Sequence, residues 1–599
     1  MKSELRHLDS KYVLYGYFLF IFLALFFSIK SDHRDYGTFR AEEIAVVQKI
    51  IHPEYYNGEF FKIELEPHNP YFNYDYFVAF IAKKFGYTEN LWELGKIFWI
   101  FEKGLAIVTL IILCNYIFNK DKTVLAIAIT LFISFIDHEA TQKSMAMPLY
   151  ILSIYFFLRG KWIVLAIVSA AIFYLHIGVG VWWLGTVAFG LLSMFLIQRR
   201  VSFRQIMTFC IFTGILVSPV IYSYFYRNYN SEIDNFTVRY FYYTQLWQSS
   251  PLLSLLVTPL TFANQWLTFA VVWVGYKKLK GEEATHKNIM LLAGGAVGLY
   301  VVQFVFADIL SNSSIILMQL TRAIQLIFIL GILFMAFLLA SHLKKGNYIF
   351  ILIFLFMFLV YRTEKAFFIS LFILILYEIF EQKITIFRGK ISRVLENNFK
   401  FIEKIKVNSK EFLQQPIVLI SLLLIIFSGP KIASHQLKSY IKSIFHISNI
   451  GNVNKEKNKN ESLENIADYI NMEIRDKKAL VLYPFLEFDF PLFIPMHDSF
   501  ISYHMPAYNL FYNLSGNSEF KHILEDDLNY SLDKLFKGRE NNQKIFYDRW
   551  GELWKSLKED LIVRWKEKYG LTHVIRENEL PLKFPVVYRN SFYSVYEIK

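Results

Sequence analysis

The sequence predicts a polytopic α-helical membrane protein, with about 11–13 helices crossing the bilayer and a C-terminal extracytoplasmic α/β domain. Three observations predict this. Of the 599 residues, 55% are hydrophobic, and the mean hydropathy of +0.33 is that of a chain solvated by lipid rather than water. Basic residues fall in alternate short loops between the apolar runs, as the positive-inside rule requires. Past about residue 430 the pattern changes to short alternating strands and amphipathic helices.

The apolar runs lie at 12–29, 97–118, 123–136, 147–158, 162–175, 179–197, 205–224, 252–276, 289–307, 323–342, 348–361, 366–380 and 416–429. The pair 348–361 and 366–380 also reads as a re-entrant hairpin. Lys30 and Asp32 follow the first run directly, so it reads as an uncleaved first helix rather than a signal peptide. Lys120 and Lys122, Arg159 and Lys161, Arg199 and Arg200, Lys277 and Lys278, and Lys344 and Lys345 mark the cytoplasmic loops, together with an N-terminus carrying Lys2 and Arg6. An odd number of spans then puts the C-terminal domain on the other side. Basic residues dispersed in this way explain the +12 net charge without nucleic acid. Cys114 and Cys210 both lie inside apolar runs and read as small buried hydrophobes.

The chain divides into a transmembrane domain over 1–430, a linker over 431–460 containing the polar run NVNKEKNKN, and the α/β domain over 461–599. The first external loop, about 32–96, is long enough to carry its own structure. Within it, 72–85 mixes aromatics with Asp75, Lys83 and Lys84, which suits a helix lying in the interface. The basic amphipathic segment 381–415 suits the surface of anionic membrane lipid. In the C-terminal domain, 463–474 has helical spacing. Strands are expected over 479–483, in THVIREN, and in VVYRNSFYSVYEIK as a hairpin turning near Asn590–Ser591.

Candidate functional residues gather at the external helix ends. Asp32 and Asp35, in SDHRDYGTFRAEE, stand where the first run leaves the lipid. Ionisable groups at that depth either mark the water interface or work on a substrate. Asp137, His138 and Glu139 end the third run, and Lys143 follows. Asp137 and Glu139 are oxygen ligands suited to a divalent cation such as Mg or Mn near a phosphate, with Lys143 as a cation for that phosphate; a solvated turn is the other reading. His176 in YLHIGVG could touch a phosphate or an acceptor hydroxyl, or simply be hydrogen-bonded in the core. Arg322 in LMQLTRAIQL needs an anionic partner, either Asp308 or a lipid-linked phosphate, which its planar fork fits. Arg239, among the tyrosines of VRYFYYTQLWQ, suits a sugar-stacking loop or an aromatic membrane belt. No P-loop, G-x-S-x-G, H-E-x-x-H or C-x-x-C pattern occurs.

This layout resembles the GT-C superfamily of membrane glycosyltransferases. The shared features are an acid after the first span (Asp32 or Asp35), a long first external loop, a second acidic cluster (Asp137, Glu139), a late basic residue (Arg322) and an external C-terminal domain. The segments AEEIAVVQKIIHPEYYNGEFF, TQKSMAMPLY and YLHIGVG, with the closing YGLTHVIREN…VVYRNSFYSVYEIK, are similar to bacterial GT-C-type proteins. The resemblance implies sugar transfer from a polyprenyl-phosphate carrier on the outer face of the bacterial inner membrane. It implies that Asp35, or Asp32 in second place, acts as general base on the acceptor or holds a metal. A polysaccharide polymerase or ligase would carry its large loop between late spans. A transporter or flippase would show internal repeats and midplane charges, and neither is present. A scaffold without activity is the fourth reading, since a fold does not establish function.

Overall fold

The computed structural model describes residues 41–57, 63, 65, 72–88, 90–134, 142–198, 201–230, 255, 259–279, 283–310, 312, 315, 318–345, 354, 367–380, 462–463, 465–473, 479–485, 498–500, 516–537 and 544–598. The helices before the α/β region are α1 (Ala41–Ile51), α2 (Asn73–Phe85), α3 (Leu91–Ile117), α4 (Lys122–Ser134), α5 (Gln142–Leu158), α6 (Trp162–Leu175), α7 (Ile177–Ser193), α8 (Phe203–Asn230), α9 (Pro259–Lys278), α10 (Glu283–Gln303) and α11 (Gln325–Lys344). To these is added α12 (Phe367–Phe380). Short π-helical turns extend α7 over Met194–Gln198 and α10 over Phe304–Ile309, and a 3₁₀ turn, Leu320–Ile324, leads into α11.

Among the described residues five helices are long and apolar enough to cross a membrane: Leu91–Ile117, Ile177–Ile197, Phe203–Ser223, Lys287–Ile309 and Leu320–Lys344. Among the described residues the expected run 123–136 is a helix of 13 residues, and α5, α6 and α12 are shorter than a full span. The expected run 252–276 is helical from Pro259 on, as α9, with Asn264 and Thr268 buried among its apolar residues. The expected runs 12–29 and 416–429, and 348–361 apart from Phe354, lie outside the described residues.

Burial sorts these helices. In α11, 78% of the apolar window is buried, against 22% in α8. A helix apolar on every side belongs at the centre of a bundle, and α11 packs there against α4 and α9. Further pairs are α3 with α5, α5 with α6, α6 with α7 and α8, and α7 with α10. The far end of α11 is held by charge. Lys344 pairs with Asp121, which also caps α4 by accepting from the Thr123 N–H at 3.0 Å. Buried His342 lies 2.8 Å from Glu378 of α12, which also pairs with Lys278 of α9.

The first loop departs from expectation in one detail and carries the helix expected over 72–85. Helix α3 begins at Leu91, so the loop ends before the expected 96. Helix α2 turns Asp75 inward, fully buried, and leaves Tyr76, Phe77 and Phe80 exposed. Aromatics outward and acid inward is the polarity of an element bordering lipid. Lys49 ties off the end of α1, donating to the carbonyls of Pro53 at 2.7 Å and Tyr55 at 2.8 Å.

The C-terminal residues form a five-stranded mixed sheet in the order β2-β1-β3-β5-β4. Its strands are β1 (Leu480–Leu482), β2 (Asp498–Ser499), β3 (His573–Glu577), β4 (Val586–Arg589) and β5 (Tyr593–Glu597). Alternation sends successive side chains to opposite faces. Val481, Ile575 and Val595 pack on Leu463, Ile466 and Ile470 of the helical stretch 465–473 and its approach. Leu482, Val574 and Tyr596 face the other layer, with Leu535, Trp550, Trp554 and Trp565. The expected hairpin turn is present, with Asn590 Oδ1 accepting from the N–H groups of Phe592 at 3.0 Å and Tyr593 at 2.9 Å. The two-residue β2 pairs parallel to β1 and carries too little pattern to be read from sequence.

Helix α1 joins the two regions. Ala45 and Val46, with Tyr56 and Phe72, belong to the same apolar core as Leu482 and Trp550. Ile44 and Val47 belong instead to a core shared with α2, α3 and Met145 of α5. The first loop and the C-terminal sheet therefore occupy the same end of the bundle.

Candidate functional site

His176 is the one residue between α6 and α7. Its backbone is extended (φ −157°, ψ 105°), which breaks the helix, and its side chain caps the new one: Nδ1 accepts from the Val179 N–H at 3.2 Å. An accepting Nδ1 leaves the proton of a neutral imidazole on Nε2, so His176 presents a donor there. Glycine makes the tight junction possible. A Cβ on Gly180 would stand 2.3 Å from the Phe173 ring and 2.9 Å from its Cα.

Trp182 lies one to two turns along α7. Its ring centre is 6.3 Å from that of His176. Its indole N–H donates to the Met318 carbonyl at 3.0 Å, holding the chain that leads into the 3₁₀ turn. Arg322 on that turn lies over the same indole, its guanidinium carbon 5.5 Å from the ring centre. Gln303, fully buried at the end of α10, accepts from the Leu320 N–H at 2.9 Å, while Gln319 takes the left-handed conformation (φ 49°) that turns the backbone. The structure thus brings His176 and Arg322 together around one indole. A guanidinium over an indole face is attracted to the ring quadrupole, and its planar N–H fork suits an oxyanion.

A second nucleus adjoins the first. Tyr74 and Asp75 of α2 and Glu102 of α3 are buried. Burial first, and then the charges of Glu43, Glu102 and Asp75, hold the Tyr74 phenol well above its ordinary range. Tyr74 therefore stays a neutral hydroxyl among three carboxylates. Glu102 pairs with its neighbour Lys103 at 2.6 Å. Lys143, at the start of α5, is two residues from Met145, which shares a core with Tyr74, Val78 and Phe98. Leu175, immediately before His176, packs on that same core.

Asp32, Asp35, Asp137, Glu139 and Arg239 lie outside the described residues. Among the described residues no group of three or more His, Cys, Asp or Glu side chains is placed to hold a metal ion. Trp182, Tyr300, Gln319, Glu102 and Lys103 were not singled out by sequence reasoning. Glu102 and Lys103 had a signal, being two opposite charges inside the apolar run 97–118. Trp182 had none, because a tryptophan at a helix end reads equally well as part of the interfacial belt.

Comparison of the chain with family models and with curated proteins finds no match.

Proposed function

We propose that this protein is an integral membrane glycosyltransferase of GT-C type, moving a sugar from a polyprenyl-phosphate donor to an acceptor on the extracytoplasmic face. The observation that carries this reading is the grouping of Arg322, Trp182 and His176 at one end of the apolar bundle. A cation over an indole, beside an imidazole, suits a phosphate arriving from the lipid boundary.

In this reading Arg322 binds the donor phosphate, with the His176 imidazole beside it. The acceptor hydroxyl attacks the anomeric carbon. The bond from that carbon to the phosphate oxygen breaks, and polyprenyl phosphate leaves as the anion that Arg322 stabilises. The acceptor proton passes to Asp35, with Asp32 as the second choice. The basic loops support a cytoplasmic N-terminus, and the apolar core that α1 shares with the sheet supports a common, outer side for the first loop and the C-terminal sheet.

The test is donor binding and turnover by the full chain in lipid nanodiscs, with labelled polyprenyl-phosphate hexoses. Wild type should release polyprenyl phosphate, and Arg322→Ala should weaken donor binding at least tenfold. Equal donor affinity in both proteins would remove the phosphate site.

A further inference from the structure

Two hydrogen-bonding groups near Arg322 are buried without use. The Tyr300 hydroxyl and the Gln319 side-chain N–H₂ are each sealed from solvent, and among the described residues neither has a hydrogen-bond partner. Tyr300 is 6% exposed and Gln319 5%. Such groups are expensive to leave unsatisfied, whereas a phenylalanine at 300 would cost nothing in polar desolvation.

They belong to one neighbourhood. Tyr300 stands one turn before Gln303 on the same face of α10, and Gln303 is bonded to the backbone beside Gln319. Arg322 in turn donates its backbone N–H to the Gln319 carbonyl at 3.0 Å. Against Tyr300 lie two rings of α9: Trp266, edge-on with centres 6.1 Å apart, and Phe262 at 6.4 Å. Aromatic faces beside neutral donors match a pyranose, which offers an apolar C–H face and a rim of hydroxyls. They do not match a second phosphate, for which both donors lack charge.

We propose that Tyr300 and Gln319, with Trp266, form the subsite for the sugar ring of the lipid-linked donor, next to the phosphate held by Arg322. The assignment rests on the donor reading above and adds the residues that select sugar-bearing lipid over bare carrier. Tyr300 hydrogen-bonds a ring hydroxyl, Gln319 donates to another, and Trp266 covers the C–H face.

The test separates the two claims. Binding of bare polyprenyl phosphate, and of polyprenyl-phosphate-linked glucose, mannose and N-acetylglucosamine, is measured on the full chain by native mass spectrometry. The variants are Tyr300→Phe and Gln319→Asn, the latter tolerating the left-handed backbone. At least one sugar lipid should bind wild type tighter than the bare carrier. Each variant should cut that advantage by about tenfold, the worth of one hydrogen bond, and leave bare-carrier affinity unchanged. Tyr300→Phe should melt no lower than wild type. If wild type binds bare and sugar-bearing lipids equally, or the variants weaken both alike, the sugar subsite is wrong and the phosphate site stands. If no lipid phosphate binds, both fail together.

Discussion

Arg322 lies over the Trp182 ring at 5.5 Å, and the same indole is bonded to the Met318 carbonyl four residues upstream. The platform and the turn that carries the cation are thus one unit. Arg322→Lys keeps the charge and loses the planar fork, so donor affinity should fall by about tenfold. Trp182→Leu should cause a similar loss with Arg322 still present. Titration of both variants with polyprenyl phosphate checks this, and full affinity in Arg322→Lys would show that charge alone suffices.

The α6–α7 junction gives a packing prediction. Gly180→Ala forces a methyl against the Phe173 backbone and ring and should destabilise by about 1–3 kcal/mol or more. Gly178→Ala meets the His176 ring, at 3.1 Å, and touches the Trp182 ring at an ordinary 3.5 Å. It should leave stability nearly unchanged while shifting the imidazole, so it lowers transfer more than melting temperature. Thermal melts of the two variants in detergent compare them directly.

Glu102 and Lys103 form an ion pair buried in α3. Removing one partner strands the other, so Glu102→Gln should cost about 3–5 kcal/mol. Glu102→Gln combined with Lys103→Met should recover most of that loss. A double-mutant cycle on unfolding free energy reads the coupling; strictly additive effects would show that the pair contributes nothing.

His573 sets a pH dependence in the C-terminal sheet. Burial lowers its pKa below the ordinary imidazole value, and Glu597 opposes this in part. The unfolded chain therefore binds the proton more readily than the folded one. The stabilisation is present above the unfolded imidazole pKa, about 6.5, and is lost as pH falls through the lower folded value. Hydrogen exchange across β3 and β5, corrected for intrinsic rates, should quicken between neutral and mildly acid pH. His573→Gln should flatten that change.

The legible parts of this fold are those where a period is long or a turn is chemically marked. The strands 573–577 and 593–597 stand where their apolar residues indicate, and Asn590 bonds the two N–H groups that close the β4–β5 turn. His176 and Arg322 were legible because a histidine and an arginine at the ends of apolar runs need a reason to be there. Their meeting around Trp182 was not, since it depends on α7 and α11 being neighbours through α10. Nor was the role of α1, whose Ala45 and Val46 face one core and Ile44 and Val47 another. A helix apolar on two sides reads in sequence only as hydrophobic.

The central claim is tested most directly by single-turnover sugar transfer in nanodiscs, comparing wild type with Asp35→Asn and Asp32→Asn. An amide of nearly the same shape can neither take the acceptor proton nor replace a carboxylate's charge. Wild type should transfer the sugar from its polyprenyl phosphate. Asp35→Asn should bind the donor normally and be slower by about 10²–10⁴, with Asp32→Asn much closer to wild type; the reverse pattern would exchange their roles. Full transfer by both aspartate variants would contradict the account.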